Sequence, residues 1–487
     1  MDPLYAPTLR FVVSVAAELL HPKCRLHKGY AVGEGYYYEL EGKEMSADEV
    51  QKLKKQVDDL VLSGEMITRV EKPWREAVTY LEEHNQQCAK ALLKSRVKAK
   101  VDCYECSGVV RLALSPLFER AAGLKAGKYT LAHSAPGFVA SYAEKYEPQP
   151  ALRGSYFDHN LFAQSQGVAS AGELNALQGV DRSRKDYVLH CEFRQEAKLG
   201  TITSNILERK ESGKPVKVVC IAGPTSSGKT TFATKLCMYL SNAGFVAKPL
   251  TVDHYYLPLD RQPKYQARKL RSDVDYDHVE SMDVELVGEH INALVSGKAV
   301  LTPVYNMKTG YRDGEGVHFP ALPPNGILVI EGIHALNPLY TQAVDAGMLL
   351  KIFISPLTVM QLDDFTVVPS TNHRLLRRMC RDYLFRAKPA AMTMAGWDNV
   401  RKGEGVWIFP HQNNADFVMN SAADYEIPVL KTLLEPLLCE VPADDPTYAK
   451  AQELLALLDH FNSWPTELVP ATALMREFIG DGAFDCH

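Results

Sequence analysis

The sequence predicts an α/β protein, with a parallel sheet flanked by helices in its second half and an α+β domain before it. Three observations carry the prediction. Short apolar strands (VKVVCIA, FVAKPLTV, GILVIEG and MLLKIFI) alternate with helical stretches between Val216 and about Val441, which is the pattern of βαβ units. A glycine-bounded stretch, GPTSSGKTT at 223–231, joins the first of these strands to a helix. Ahead of them, helix-like and strand-like stretches alternate without that regular order.

The first block, residues 1–207, opens on FVVSVAAELL, a mostly apolar stretch after Asp2 and a single arginine. It lacks a small-residue cleavage site and reads as a helix, not a signal peptide. GEGYYYELEG, with aromatic β-formers between glycines, reads as a strand. Ser46 then caps the amphipathic helix ADEVQKLKKQVDDLVLSG, which Gly64 closes. Residues 208–216, ERKESGKPV, are charged, end in Gly-Lys-Pro and read as a linker. The sheet-forming block follows at 217–440. Residues 441–487 form a C-terminal helical segment, TYAKAQELLALLDHF, then a coil with prolines, then ALMREFIGDGAF.

A chain of 487 residues is long enough for two or three domains. Its 46% hydrophobic and 23% charged residues describe an ordinary globular protein and exclude a disordered one. No apolar run approaches the ~20 residues of a membrane span, so no membrane partner is expected. Ten scattered cysteines are too sparse for a disulfide framework and suit a reducing compartment, which points to a cytoplasmic location. Cys103-Tyr-Glu-Cys106 has no second pair and reads as two thiols on a strand or turn rather than a zinc site. The net charge of −5 gives no general pull toward nucleic acid. The basic run KSRVKAK at 94–100 leaves a nucleic-acid contact through the first block open, and self-association is open as well.

The chemistry concentrates in the second half. Gly223, Pro224, Thr225, Ser226, Ser227, Gly228, Lys229, Thr230 and Thr231 leave a buried-strand pattern and enter a helix. Backbone N–H groups of such a turn converge on phosphate oxygens. Lys229 can reach the β- and γ-phosphates, and the Thr230 hydroxyl can hold Mg²⁺. Asp253 sits just past the second parallel strand, at the sheet edge where ligands bind. There a carboxylate can accept a proton from a substrate hydroxyl or hold a magnesium-bound water. Glu331 ends the strand GILVIEG, the metal-side position. Tyr255 follows Asp253, and Tyr276 and Asp277 lie in the polar loop DVDYDHVESMD, on the expected substrate side. A hairpin around Asp313-Gly314 carries Tyr305 and Arg312 toward the ligand. In HRLLRRMCRDYLFRAK, Arg374, Arg377, Arg381 and Arg386 recur at mostly helical spacing. Such a row can clamp a triphosphate as a lid, with Arg377 and Arg381 neutralising charge on the transferred group; a nucleic-acid-binding or solvated basic face is the alternative.

In order and spacing, GPTSSGKTT, VDHYY, DYDHVESMD, PVYNMKTGYR, VIEGIHAL and HRLLRRMCRD resemble the uridine kinase and phosphoribulokinase group of phosphate-loop kinases. The resemblance covers about residues 216–440. It implies ATP and Mg²⁺ as cofactors, Asp253 as catalytic base and Glu331 on the metal side. It also implies Asp277 on the ribose hydroxyls, Tyr305 lining the nucleoside pocket, and the arginines in the lid. One departure stands out. Uridine kinases carry Tyr-x-x-x-x-His-x-Arg in the hairpin, the histidine reading the pyrimidine edge; here Gly310 takes that place, and Met307 stands where an aromatic residue is usual. Phosphoryl transfer is therefore better supported than pyrimidine choice.

The segment from GEGYYYELEG to WREAVTYLE resembles the second additional, editing domain of threonyl-tRNA synthetases. Those domains carry two histidines four apart, then a cysteine and a histidine. This sequence has no HxxxH, and RLALSPL replaces the later segment, so a binding, regulatory or docking role is expected. Together the two halves resemble a group of fused nucleoside kinases. The implied activity is ATP- and Mg²⁺-dependent phosphorylation of a nucleoside 5′-hydroxyl, uridine or cytidine. Two alternatives stay open: a pentose-phosphate kinase using Arg312 and Lys308, and a nucleotide-gated binding protein.

Overall fold

The computed structural model describes residues 2–22, 24–143, 148–177, 181–262, 278–307 and 309–485. They group into two compact units, each assembled from three stretches of chain.

The first unit comprises Met1–Tyr187, Leu357–His373 and Leu454–Trp464. Its core lies between the helices Tyr5–Leu20 and Ala47–Ser63 and a four-stranded antiparallel sheet. The sheet runs in the order Leu26–Ala31, Gly35–Leu40, Gly137–Ser141, Thr130–Ser134. The stretch read as a strand, Tyr36-Tyr37-Tyr38, is the second of these. Ser46 and Glu49 form a reciprocal capping box at the start of the second helix, and Gly64 closes it in the left-handed region at φ 67°. A separate three-stranded sheet joins Thr68–Pro73, Lys100–Cys106 and Val109–Leu112, and Cys103 and Cys106 are buried residues on its half-exposed middle strand.

This division does not follow the boundaries suggested by the sequence, for identifiable reasons. Residues 357–373 belong to the first unit through Asp364, whose carboxylate accepts from Arg25 Nε at 2.5 Å. The same carboxylate takes the amides of Cys88 and Ala89 at the start of the helix Gln87–Ser95, where helices leave N–H groups unpaired. Residues 454–464 join the same unit through Trp464, 1% exposed beneath the Arg184 guanidinium, and through Asn462, whose amide donates to Asn175. The expected linker at 208–216 begins in a helix, since Asp181–Glu211 is helical throughout.

The second unit comprises Val188–Pro356, Arg374–Glu453 and Pro465–His487. Its centre is a five-stranded, wholly parallel sheet of β1 (Val218–Ala222), β2 (Val246–Thr251), β3 (Gly326–Glu331), β4 (Leu349–Ser355) and β5 (Phe417–Asn420), in the order β5-β4-β1-β3-β2. Every residue of β1 and β3 is buried, as strands covered on both faces require. β2 is an edge strand, which accommodates Pro249. Helix α1 (Lys229–Asn242) follows β1 directly and buries Phe232, Ala233, Leu236 and Leu240. Helix α2 (Val284–Val295) precedes a hairpin that pairs Val300–Thr302 with Val317–Phe319 and Tyr305–Asn306 with Tyr311–Arg312. Helix α3 (Ser370–Arg386) carries the arginine row, followed by α4 (Trp397–Trp407) and α5 (Glu426–Cys439).

Candidate active site

The site forms where β1, β3 and β2 end side by side. In the sheet register Glu331 on β3 lies opposite Ile221 on β1 and Thr251 on β2. The turns after β1 and β2 therefore emerge one interstrand spacing to either side of Glu331, about 10 Å from each other. This is the carboxyl edge at which open α/β sheets bind ligands.

The turn after β1 is shaped by glycine. A Cβ on Gly223 would lie 1.9 Å from the Ile354 carbonyl oxygen on β4, so no side chain fits there. Gly228 adopts φ +85° and is the residue before α1, with Leu474 packed against its α-carbon. Between them Ser226 Oγ and Ser227 Oγ are buried and make no hydrogen bond within the protein. Two orphaned hydroxyls in a loop that opens into a helix N-terminus suit an anionic ligand, and a phosphate matches both the polarity and the helix dipole. Pro224 and Thr225 complete the loop. Lys229 Nζ donates to the Gly223 carbonyl at 3.1 Å and the Pro224 carbonyl at 3.2 Å. Desolvation pushes its pKa down, against the opposing pull of Glu331, Asp253 and Glu477. Thr230 occupies the first turn of α1, and its neighbour Thr231 donates through N (3.3 Å) and Oγ1 (2.8 Å) to Glu477 Oε2.

Glu331 is 4% exposed, and its pKa rises to about 7. Burial is the main cause and the charge of Asp253 the next, with Lys229 opposing. Asp253 stands in the short turn Val252–Tyr255 immediately after β2. Its Oδ1 lies 3.7 Å from where a Cβ on Gly332, the residue after Glu331, would project. The base, the metal-side acid and the phosphate-loop lysine expected from the sequence thus share one corner of the fold.

Tyr255 is fully buried and pairs its hydroxyl with His290 Nδ1 at 2.9 Å, so it supports the turn that holds Asp253. Arg312 donates to the carbonyls of Tyr255 and Tyr256 and to Asp283 Oδ2 at 2.9 Å, which ties the hairpin to that turn. Tyr305 is 5% exposed, packed against the Tyr256 ring at 5.3 Å. Tyr276, Asp277 and Lys308 lie outside the described residues.

The arginine row corrects one expectation. Arg374 and Arg377 do not stand as exposed lid cations; their guanidinium groups are engaged by buried carboxylates. Arg374 pairs with both oxygens of Glu404 and donates from Nε to the Thr225 carbonyl. Arg377 pairs with Glu426 and donates to the carbonyls of Ser226 and Ser421. A buried guanidinium without a carboxylate would be costly, and these pairs brace the outside of the phosphate loop. Arg381 differs. Its Nε is buried without a hydrogen-bond partner, and its pKa falls to about 10 through burial and then the charge of Arg386, opposed by Asp382 and Glu477. Arg386 is half-exposed beside Asp382 at 3.3 Å. Of the predicted row, Arg381 is the member whose charge bears on Lys229. Glu404, Glu426 and Glu477 were not anticipated, and no local sequence signal marks them as partners of the loop.

Residues 218–428 match the Phosphoribulokinase / Uridine kinase family. This stretch is a phosphate-loop kinase domain of that family. Its similarity to a uridine kinase from Halobacterium salinarum is 28% identity over 211 residues, 43% of this chain and 82% of that one. A uridine kinase from Halalkalibacterium halodurans is 26% identical over 42% of this chain and 87% of its own length. Uridine-cytidine kinase B from Dictyostelium discoideum is also 26% identical, over 42% of this chain and 75% of that one. Among solved structures, D-glycerate 3-kinase from Cryptococcus neoformans aligns with 58% of this chain and 87% of its own at 14% identity and a TM-score of 0.25, too low to carry an argument. The kinase domain accounts for the corner holding Lys229, Asp253 and Glu331, whereas Glu477 lies beyond the matched stretch.

Proposed function

We propose that the chain transfers the terminal phosphoryl group of ATP to the 5′-hydroxyl of a nucleoside, uridine or cytidine. The observation that carries this reading is the side-by-side emergence of the phosphate loop, Glu331 and Asp253 from three adjacent parallel strands. Asp253 would accept the proton of the acceptor hydroxyl, and Lys229 and Arg381 would offset charge on the transferred group. A magnesium ion bound mainly through nucleotide phosphates takes one or two protein oxygens, for which Thr230 and Glu331 are the candidates. When bound, the ion would neutralise phosphate charge, and Glu331 would coordinate it as the carboxylate, its proton released to solvent. Similarity to several uridine kinases supports the kinase class and the nucleoside acceptor.

A second reading has one observation in its favour. Gly310 adopts φ +81°, and a Cβ there would lie 2.3 Å from Leu259 Cδ1. The hairpin position that carries histidine in uridine kinases is therefore filled by Leu259 and supplies no side chain to read a pyrimidine edge, which favours an acceptor without one. Against a sugar-phosphate acceptor, Arg312 is already engaged by Asp283 and two carbonyls. ATP consumption measured over uridine, cytidine, other nucleosides and ribulose 5-phosphate separates the readings. Turnover confined to the sugar phosphate, or absent with every acceptor, overturns the nucleoside assignment.

A further inference from the structure

Glu477 holds a position that the kinase chemistry does not require. It lies on the short turn Arg476–Ile479, 246 residues beyond Thr231, yet its carboxylate accepts from both the amide and the hydroxyl of that threonine. Thr231 N–H is one of the first-turn amides of α1, which have no partner within the helix and form part of the phosphate cradle. The local charge points the same way. Three carboxylates, those of Glu331, Asp253 and Glu477, and one other cation, Arg381, bear on Lys229. Glu477 thus adds a negative charge beside Lys229 and Arg381. A polyphosphate entering the loop meets an acid already seated on one of its amides. The acid has somewhere to go, because a cavity of about 400 Å³ adjoins Glu477, lined by Phe385, Arg476, Asp481 and Phe484 among others.

We infer that Glu477 is a tethered competitor of the nucleotide phosphates: its carboxylate must leave Thr231 for ATP to bind, and it thereby sets the affinity of the site. The inference rests on the nucleotide-binding reading above and adds to it a regulatory group outside the matched kinase domain. The backbone of the segment stays in place, anchored by Leu474 against Gly228 and by Phe478 under the Arg377 guanidinium. Only the side chain moves. Exchanging a charge-assisted hydrogen bond for one to phosphate, and losing one like charge, together change affinity by about tenfold or more.

The test is calorimetric titration with MgATP of the wild-type chain, Glu477→Gln, Glu477→Asp and Lys229→Ala, together with a crystal structure of the wild-type MgATP complex. Glu477→Gln is expected to bind at least ~10-fold more tightly. Glu477→Asp, whose shorter side chain keeps the charge but not the reach, should fall between it and wild type. In the complex Glu477 should be turned away from Thr231. Unchanged or weaker binding by Glu477→Gln, or a complex in which the carboxylate still holds the Thr231 amide, overturns the inference and leaves the kinase reading intact. Should neither wild type nor Glu477→Gln bind MgATP any better than Lys229→Ala, the nucleotide site falls first and the inference with it.

Discussion

Arg377 and Glu426 meet in a two-armed ion pair, 2.6 Å on each arm, with the two side chains 0% and 1% exposed. Because the carboxylate is removed from water, truncating its partner leaves an uncompensated charge. Arg377→Ala is expected to cost about 3–5 kcal/mol of unfolding free energy, while joint replacement with Glu426→Leu costs far less. Urea denaturation of the single and double variants checks this. A large loss of turnover at unchanged stability would restore the catalytic role first expected of this arginine.

Asp253→Asn preserves size and removes the proton acceptor. Turnover of the best nucleoside should fall at least ~100-fold, while MgATP still binds with near-wild-type affinity. Steady-state kinetics beside calorimetry distinguishes this from a site that has collapsed. Full turnover in the variant would remove Asp253 from its assigned role, and ATP-dependent behaviour persisting without any phosphorylated product would favour a nucleotide-gated binding protein.

Glu331 makes a pH prediction whose sign follows from its raised pKa. The folded chain holds a proton at this carboxyl up to about pH 7, while the unfolded chain releases it near 4.5. Its stabilising contribution is therefore complete below about 4.5 and disappears as pH climbs through 7. Glu331→Gln should gain stability relative to wild type across that window, by as much as about 3 kcal/mol at pH 8. Thermal unfolding of both proteins from pH 5 to 8 measures the difference. Parallel curves would show that Glu331 titrates normally.

Gly310→Ala forces a side chain into a left-handed backbone and into Leu259 at once. A loss of roughly 1–3 kcal/mol is expected, only partly relieved by adding Leu259→Ala, because the backbone conformation remains. Gly310→His should therefore fail to install the pyrimidine-reading histidine. A stable histidine variant with sharpened uridine preference would contradict this.

The placing of Lys229, Asp253 and Glu331 in one corner was legible in the sequence because these residues are fixed by local signals. Asp253 and Glu331 stand at the ends of apolar strands, and the phosphate loop is one continuous motif between strand and helix. The fate of Arg374 and Arg377 was not legible. Helical spacing showed that they share a helix, but their carboxylate partners lie 30 and 49 residues further on, and no periodicity links them. The same holds for Asp364, which follows β4 in sequence but whose carboxylate is paired with Arg25 and the Cys88 amide, more than 270 residues earlier. Long-range charge pairing placed these groups, and a reading based on local pattern cannot see it.

The chain passes between its two compact units five times, at 187–188, 356–357, 373–374, 453–454 and 464–465. During synthesis the first unit therefore lacks its last pieces until Trp464 has left the ribosome, and the second waits for Glu477 and its neighbours. Neither half can mature as an independent N-terminal product while the other is still being made. A premature stop anywhere before 465 should leave both halves unfinished, so that protein quality control would meet two defective bodies instead of one.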